Sequence, residues 1–506
     1  MIQLYKNNAY QWFMKDHIYT IGYAFYQNKL YEDASLVELI VKIKDTIEEK
    51  INQMTGYFAI VIEKENGIIL ISDIIRSFPL FYNADGDVTD DINLLKGNFN
   101  ELSIQELLSS RWVSNDATIY QNVKQIENAQ IVEIENGHII KKRYFHYEYN
   151  IGEAYSLEEL DQVFKRMIEK TIRYLNGRTA IVPLSGGNDS RLLLYYLKSY
   201  QYPKIITYTY GRKDNKESEV SKKVAKFLDV PWYFIEYTKK NCRQEYEKKA
   251  NFSKMADYLG RGYSIPHIQE WEAIKQLIDK NLIEKDSVVL PGFTLDFLAG
   301  NHINKMYLEN KKVYFNKVKE DIYSQNYNLI KKFDNTIFDE KLKEKFHLDA
   351  TDTLLDRERA ANLYEKYDFE ERQVKFITNA VRVYDYYGLK WYLPFWEKEL
   401  ILFWSKVKLE DKYSRKFFKN FTQYKYKELM EHVPTYEKKE TKGKMKALQK
   451  IYQLFYIYNH NPLNYYYYFK FTKYLKYAII EKNFAYDHYV ANDYVQYLRR
   501  SNENGI

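Results

Sequence analysis

Short apolar stretches separated by turn residues fill the first 150 residues of the chain. Residues 55–62 and 68–72 are apolar stretches separated by a turn, and a second pair of apolar stretches flanks Asn136-Gly137. Apolar runs of this length joined by Asn-Gly turns predict β-hairpins. With one helix expected at roughly 35–53, this half is predicted to consist of packed sheets with few helices.

The pattern changes near Ser156, where Ser-Leu-Glu-Glu is the capping box that starts a helix. Apolar strands and amphipathic helices then alternate, with strands expected at 179–184, 204–210, 232–237 and 287–290 and helices at 190–199 and 217–228. This βαβ alternation predicts a doubly wound parallel sheet. Beyond about residue 300 the pattern is mainly helical.

Three parts of the chain follow from these patterns. We expect a first domain at 1–150, a second at 151–450, and an aromatic-rich helical extension of the second at 451–506. A chain of 506 residues is long enough for this division and for a large core.

Composition narrows the classes of function. The net charge of +7, from 76 basic and 69 acidic residues, is too dilute to indicate nucleic-acid binding. The one cysteine, Cys242, excludes an intrachain disulfide and a cysteine-based zinc site. No apolar run reaches the ~18 residues of a membrane span, so we expect a cytoplasmic protein without nucleic-acid or membrane partners.

Residues 185–190 read Ser-Gly-Gly-Asn-Asp-Ser, between an apolar strand and a predicted helix. Gly186 and Gly187 allow a tight turn and close approach of a ligand, and the helix start offers free amides to an anion. The hydroxyls of Ser185 and Ser190 add donors for phosphate oxygens. Asp189 cannot donate to phosphate, so its expected role is to bind magnesium. The Gly-Lys-Ser/Thr ending of a Walker loop is missing.

This motif resembles the PP-loop of ATP pyrophosphatases, which split ATP between the α and β phosphates. Asparagine synthetases, GMP synthetases, NAD synthetases and tRNA-modifying enzymes share it. The order of further segments resembles the asparagine synthetase family: Gly56-Tyr57-Phe58-Ala59, Pro79-Leu80-Phe81-Tyr82, the loop 290–300 and Leu393-Pro394-Phe395-Trp396-Glu397. The resemblance implies an α+β Ntn-type sandwich followed by an α/β domain like the adenine nucleotide alpha hydrolases, with extra helices.

The resemblance also implies the site residues and the cofactors, ATP and Mg²⁺. Asp189 and Asp296 are the candidate metal ligands, and Lys442 and Lys444, in a lysine-rich loop, are the candidate catalytic residues. The candidate ATP- and pyrophosphate-binding residues are Leu184, Ser185, Gly186, Gly187, Asp189, Ser190, Tyr210, Gly211 and Gly292. Leu184 and Tyr210 fit equally well as strand-end core residues, and a lysine-rich loop is also typical of a solvated segment.

Three positions depart from the family. Position 2 is Ile2 instead of the cysteine nucleophile, so glutamine hydrolysis is not expected. Phe293 replaces a glutamate that contacts the intermediate, and Lys390 and Tyr392 stand where Glu-x-Arg lines the amino-acid side of the site. Beta-lactam synthetase, carbapenam synthetase and lasso peptide cyclase have the same layout, a silent first domain and an adenylating second domain.

The sequence therefore predicts an ATP-dependent ligase that adenylates a carboxylate and transfers the acyl group to an amine or ammonia. The carboxylate belongs to a small molecule or a peptide, and its identity, the amine and the oligomeric state stay open. Two alternatives remain: an asparagine synthetase that uses free ammonia, and a non-catalytic partner protein that binds ATP or AMP.

Overall fold

The computed structural model describes residues 1–5, 7–238, 241, 249–329, 335–348, 353–434 and 484–503. Its strands are β1 Ile2–Gln3, β2 Phe13–Lys15, β3 Ile18–Tyr26, β4 Lys29–Glu32, β5 Thr55–Lys64, β6 Gly67–Ser72, β7 Phe81–Tyr82, β8 Val88–Thr89, β9 Lys124–Gln125, β10 Gln130–Glu135, β11 His138–Arg143, β12 Ala180–Pro183, β13 Ile205–Gly211, β14 Trp232–Glu236, β15 Val288–Val289, β16 Lys312–Tyr314, β17 Leu354–Asp356 and β18 Lys390–Trp391.

The α-helices are α1 Ala34–Ile43, α2 Ile47–Lys50, α3 Glu101–Ser110, α4 Leu157–Leu175, α5 Asp189–Ser199, α6 Lys216–Phe227, α7 Lys249–Gly260, α8 Trp271–Asp279, α9 Leu295–Leu298, α10 Met306–Glu309, α11 Phe315–Asn326, α12 Asp339–Phe346, α13 Arg357–Tyr367, α14 Arg382–Tyr386, α15 Lys398–Lys406, α16 Leu409–Lys412, α17 Lys416–Lys425, α18 Lys427–His432 and α19 Phe484–Glu503. A π-helix, Asp368–Ile377, continues α13. None of the helices in the described part of the chain has the length and apolar character that crossing a bilayer requires.

The N-terminal half contains a seven-stranded antiparallel sheet in the order β11-β10-β6-β5-β3-β2, with β4 paired to β3. Both predicted hairpins are confirmed, as β5–β6 and β10–β11. Alternate residues of β5 point to opposite faces, and both faces are buried. One face packs on α1, through residues such as Leu36 and Ile40. The opposite face packs on the C-terminal half.

A smaller four-stranded sheet, in the order β1-β8-β7-β9, holds the start of the chain. Ile2 pairs with Val88 in the parallel pair of β1 and β8, and the amino group of Met1 donates to Asp87 Oδ1 at 2.8 Å. Two sheets agree with the sequence expectation of a β-rich first half. The Ntn-type arrangement stays a prediction.

The C-terminal half is built on a five-stranded sheet in the order β14-β13-β12-β15-β18, with every pair parallel. The predicted parallel α/β sheet is thus confirmed. The chain builds outward from β12 to β14 on one side, and then crosses to β15 and β18 on the other. In open α/β sheets a ligand binds at the carboxyl ends of the strands where the order reverses. Here that crevice lies between β12 and β15.

The two halves share one hydrophobic core. The hydroxyl of Tyr57 donates to the carbonyl of Leu393 at 2.5 Å, and that of Tyr10 donates to the carbonyl of Trp391 at 3.1 Å. From the other side, Arg382 Nη2 donates to the carbonyl of Ser77 at 2.6 Å. These contacts place β5 and loops of the N-terminal half directly against β18, the loop that follows it and the start of α14.

Candidate functional site

The loop Ser185–Ser190 leaves β12 at the crevice where the strand order reverses. Its two serines hold the turn closed: Ser185 N donates to Ser190 Oγ at 3.0 Å, and the two hydroxyl oxygens are 3.1 Å apart. Gly187 N donates to Ser185 Oγ at 3.2 Å. The turn is therefore pre-shaped by its own side chains, and α5 begins immediately after it.

The first turn of α5 is directed at this crevice. Its N-cap is Asn188, whose side chain makes no capping hydrogen bond. The first-turn amides of a helix have no intrahelical partner, and the positive end of the helix dipole favours an anion there. This end of α5 has the chemistry of a phosphate-binding site.

Gly292, which follows β15, forms the opposite wall of the crevice. A Cβ atom at this position would lie 2.8 Å from Ser190 N and 2.9 Å from Ser190 Cα. Real side chains do not tolerate such distances to backbone, so only glycine permits β15 and α5 to approach this closely. The structure thus brings two segments together that are about a hundred residues apart in sequence.

We expect Gly292→Ala to weaken ATP binding about tenfold or more. The added methyl group would displace the start of α5, and overpacking of this kind costs about 1–3 kcal/mol. Calorimetric titration of the variant with MgATP measures this effect. Gly97→Ala is the matched control, since Gly97 is exposed and a Cβ there meets nothing within 4 Å. Equal affinities of the two variants would contradict the proposed contact.

Asp189 and Asp296 face the same crevice. Burial raises the pKa of Asp189 to about 6, and the charge of Asp296 adds to the rise, while Arg415 opposes it. Asp189 begins α5, which follows β12, and Asp296 lies in α9, which follows β15, so the two carboxylates flank the crevice. Asp296 Oδ1 accepts a hydrogen bond from its neighbouring amide, Phe297 N, at 2.9 Å.

These residues fit a magnesium ion that is shared with phosphates. Mg²⁺ is bound in proteins by one or two carboxylates, with waters and substrate phosphates completing its shell. The described residues contain no group of three or more histidine, cysteine, aspartate or glutamate side chains that could hold a metal by themselves. A two-carboxylate site beside a phosphate-binding helix start agrees with both facts. The metal role of Asp189 and Asp296 stays a prediction.

The candidate adenine residues lie at the ends of β12 and β13. Leu184 is 2% exposed, and its carbonyl accepts hydrogen bonds from the hydroxyls of Thr209 and Ser221. Tyr210 is half-buried and stacks on Tyr237, with ring centroids 5.1 Å apart. Gly211 has a φ of 137°, and its carbonyl accepts from Tyr237 N at 2.7 Å. Leu184 thus lies in the core, while Tyr210 lies near the carboxyl end of β13, where the strand leaves the sheet.

The structure changes the interpretation of Lys390 and Tyr392. The sequence comparison placed them on the substrate side of the site. Tyr392 is instead fully buried between the two halves, where its hydroxyl donates to Glu397. Lys390 Nζ lies 5.8 Å from the ring centroid of Tyr10, in the N-terminal half. Both side chains belong to the contact between the halves, so they do not bear on the choice of substrate in the way the sequence suggested.

Sequence reasoning missed several groups at this site. Arg415 Nη2 forms an ion pair with Asp189 Oδ1, and Thr294, next to Phe293, has a φ of 85° and a buried hydroxyl without a partner among the described residues. Nothing near Arg415 in the sequence signals this contact. The candidate catalytic residues Lys442 and Lys444, and also Cys242, lie outside the described residues.

Comparisons with known proteins point to the same segment. A family model described as Queuosine biosynthesis protein QueC matches residues 179–250. The 7-cyano-7-deazaguanine synthase of Staphylococcus epidermidis is 43% identical over 63 residues, 12% of this chain and 28% of that protein. The matches support the PP-loop ATP pyrophosphatase superfamily. The loop at residues 185–190 is accordingly called the PP-loop below.

Two further relatives also match part of the chain. The 7-cyano-7-deazaguanine synthase of Caldicellulosiruptor bescii is 43% identical over 58 residues, 11% of this chain and 26% of that protein. The tRNA-specific 2-thiouridylase MnmA of Chlamydia abortus is 28% identical over 161 residues, 30% of this chain and 41% of that protein. The chain spans about a quarter of the length of the synthases it matches.

Proposed function

We propose that this protein is an ATP-dependent amide-forming ligase that adenylates a carboxylate, releases pyrophosphate and transfers the acyl group to an amine or ammonia. The observation that carries the proposal is the PP-loop at the crevice between β12 and β15, with Asp189 and Asp296 beside it. The order along the chain of the segments that resemble asparagine synthetase supports this layout, which is also that of beta-lactam synthetase, carbapenam synthetase and lasso peptide cyclase.

The residues of the chain have distinct tasks in this reaction. Amides of the PP-loop and the first turn of α5 bind phosphate oxygens, and Asp189 and Asp296 would hold magnesium, which neutralises charge on the departing pyrophosphate. A carboxylate oxygen attacks the α phosphorus, and the bond between the α phosphorus and the bridging oxygen breaks. An amine then attacks the acyl carbon, which forms the amide bond and releases AMP. Fixing both reactants in one crevice supplies much of the acceleration.

The N-terminal half acts in this proposal as a structural partner. Glutaminase chemistry of the Ntn type needs a thiolate at the chain start, and Ile2 has none. The β5 strand of this half supports the second sheet through the bond of Tyr57 to Leu393. Ammonia, or another amine, then reaches the acyl-adenylate without glutamine hydrolysis.

A panel of carboxylates labelled with ¹⁸O tests the reaction class. Incubation with ATP and magnesium should release pyrophosphate only with an accepted carboxylate, and AMP should carry one ¹⁸O atom from it. Appearance of asparagine from aspartate and ammonium would identify the narrower reaction. Formation of ADP and phosphate, or of pyrophosphate with unlabelled AMP, would contradict the proposal.

The second candidate is a non-catalytic protein that binds ATP or AMP. It is favoured by the ion pair of Arg415 with Asp189, since this contact occupies a carboxylate that the reaction needs for magnesium. Phe293 in place of a glutamate base points the same way. Tight binding of ATP with no AMP formed from any carboxylate and amine of the panel would favour this candidate.

A further inference from the structure

We propose that Arg415 and Arg191, together with the hydroxyl of Tyr426, form the subsite that binds the β and γ phosphates of ATP and the pyrophosphate that leaves. The inference rests on the proposed function and adds the residues that bind the phosphate end. It concerns three side chains that the sequence motif does not include.

Arg415 has spare hydrogen-bonding capacity at the site. Its Nη2 contacts Asp189 Oδ1, but its Nε is buried and has no partner among the described residues. The guanidinium also lies over the ring of Phe418, 4.5 Å from its centroid, which fixes the plane of the group. Arginine presents a rigid fork of donors that suits phosphate oxygens.

The backbone that carries Arg415 is strained. Ser414 and Arg415 both have left-handed conformations, with φ values of 54° and 60°, and such conformations in residues other than glycine concentrate at functional sites. The segment that precedes Ser414 is held in place, because the buried Lys412 donates to Glu365 Oε2 at 2.5 Å and to the hydroxyl of Tyr147 at 3.0 Å. The fold therefore holds Arg415 in a costly conformation that points it at the PP-loop.

Arg191 directly follows the PP-loop, in the first turn of α5, and it is fully buried. Its Nη1 donates to the carbonyl of Val433 and contacts the sulfur of Met430 at 3.4 Å. Its Nε and Nη2 have no hydrogen-bond partner among the described residues. Leaving two donors of a buried cation unsatisfied is costly, and an anionic ligand removes that cost.

Tyr426 joins α17, which begins next to Arg415, to α18, whose Met430 contacts Arg191. It is 2% exposed, and its hydroxyl also has no hydrogen-bond partner in the described part of the chain. Burial raises the pKa of this hydroxyl; Arg191 and Arg415 oppose the rise, and Asp189 adds to it. Tyr426, Arg191 and Arg415 thus offer unused donors on segments that adjoin Asp189, the proposed metal ligand.

The position of the cluster assigns it to the phosphate end of the nucleotide. Tyr210, the candidate adenine contact, lies at the end of β13. Arg191 lies in the first turn of α5 and contacts Val433, the residue after α18, and Arg415 contacts the same turn of α5 from the start of α17. With Asp189 holding magnesium, the guanidinium of Arg415 would be available for a phosphate oxygen. Two guanidiniums and one hydroxyl suit a pyrophosphate group, whose charge is spread over several oxygens.

Calorimetric titration of the full chain with MgATP, magnesium pyrophosphate and AMP tests the inference. Arg415→Met and Arg191→Met should each weaken ATP and pyrophosphate binding about 10- to 100-fold, the worth of a charge-assisted hydrogen bond. AMP affinity should stay within about twofold, because AMP lacks both terminal phosphates. Arg415→Lys should keep part of the ATP affinity, since it keeps the charge and loses the fork.

Arg499→Met is the control, because Arg499 is exposed on α19 and pairs only with the exposed Glu101 among the described residues. Equal loss of ATP and AMP affinity would mean that the arginines only support the fold, and unchanged ATP affinity would mean that they do not touch the phosphates; either result overturns the inference. If the unmodified protein binds no nucleotide, the proposed function itself fails. If Arg191→Met does not fold, the Arg415 pair of variants still decides.

Discussion

Replacing Asp189 with alanine should reduce carboxylate-dependent pyrophosphate release by at least about 100-fold, the usual cost of removing one electrostatic stabiliser of a transition state. The variant loses one of the two proposed magnesium ligands at the crevice and leaves the charge of Arg415 without its partner. Release of pyrophosphate, measured with the accepted carboxylate at saturating ATP, gives the effect directly.

Asp286→Ala is the matched control for this prediction. Asp286 is exposed in the turn before β15, so its loss should leave the rate unchanged. Thermal unfolding of both variants separates loss of chemistry from loss of fold. A folded Asp189→Ala protein that keeps a rate within about threefold of the unmodified enzyme would exclude the proposed role, because removal of a stabilising group costs far more than this.

Replacing Trp391 with alanine should destabilise the protein by about 3–5 kcal/mol, the range for removing a large buried aromatic side chain. Trp391 is fully buried on β18. Its ring centroid lies 5.6–5.7 Å from those of Tyr10, Tyr57 and Phe78, all from the N-terminal half. Denaturant unfolding, followed by circular dichroism, measures the loss.

The same experiment tests whether the N-terminal half supports the second sheet. If it does, Trp391→Ala should also weaken MgATP binding, because β18 pairs with β15, the strand that carries the Gly292 wall. Leu402→Ala, at a side chain that is 49% exposed, should change stability by no more than about 0.5 kcal/mol. A Trp391→Ala protein as stable as this control would show that the two halves are not coupled through this contact.

Local patterns in the sequence were sufficient for the elements that form the PP-loop. The apolar strand, the glycine turn and the helix start are adjacent in the chain, so their structure follows from local chemistry. The alternation after residue 156 was enough to predict a parallel sheet, since parallel strands need crossover connections. The Asn-Gly turns were likewise enough for the β10–β11 hairpin.

Local sequence patterns could not predict the features of the structure that depend on contacts between distant segments. Arg415 is 226 residues from Asp189, and no local signal in a helical region marks a residue that contacts so distant a segment of the chain. Tyr392 shows the converse: its place in a motif suggested a substrate contact, but packing against the N-terminal sheet decides its environment. Arg191 could have been noticed, because it directly follows the motif and a buried arginine needs partners.

Calorimetric titration of the folded 506-residue chain with ATP, with and without magnesium, tests the proposed nucleotide site. We expect one nucleotide site whose affinity rises when magnesium is present and falls sharply in Asp189→Ala. A folded protein that takes up no ATP in the presence of magnesium would contradict the proposed function, because the crevice between β12 and β15 would then not be a nucleotide site.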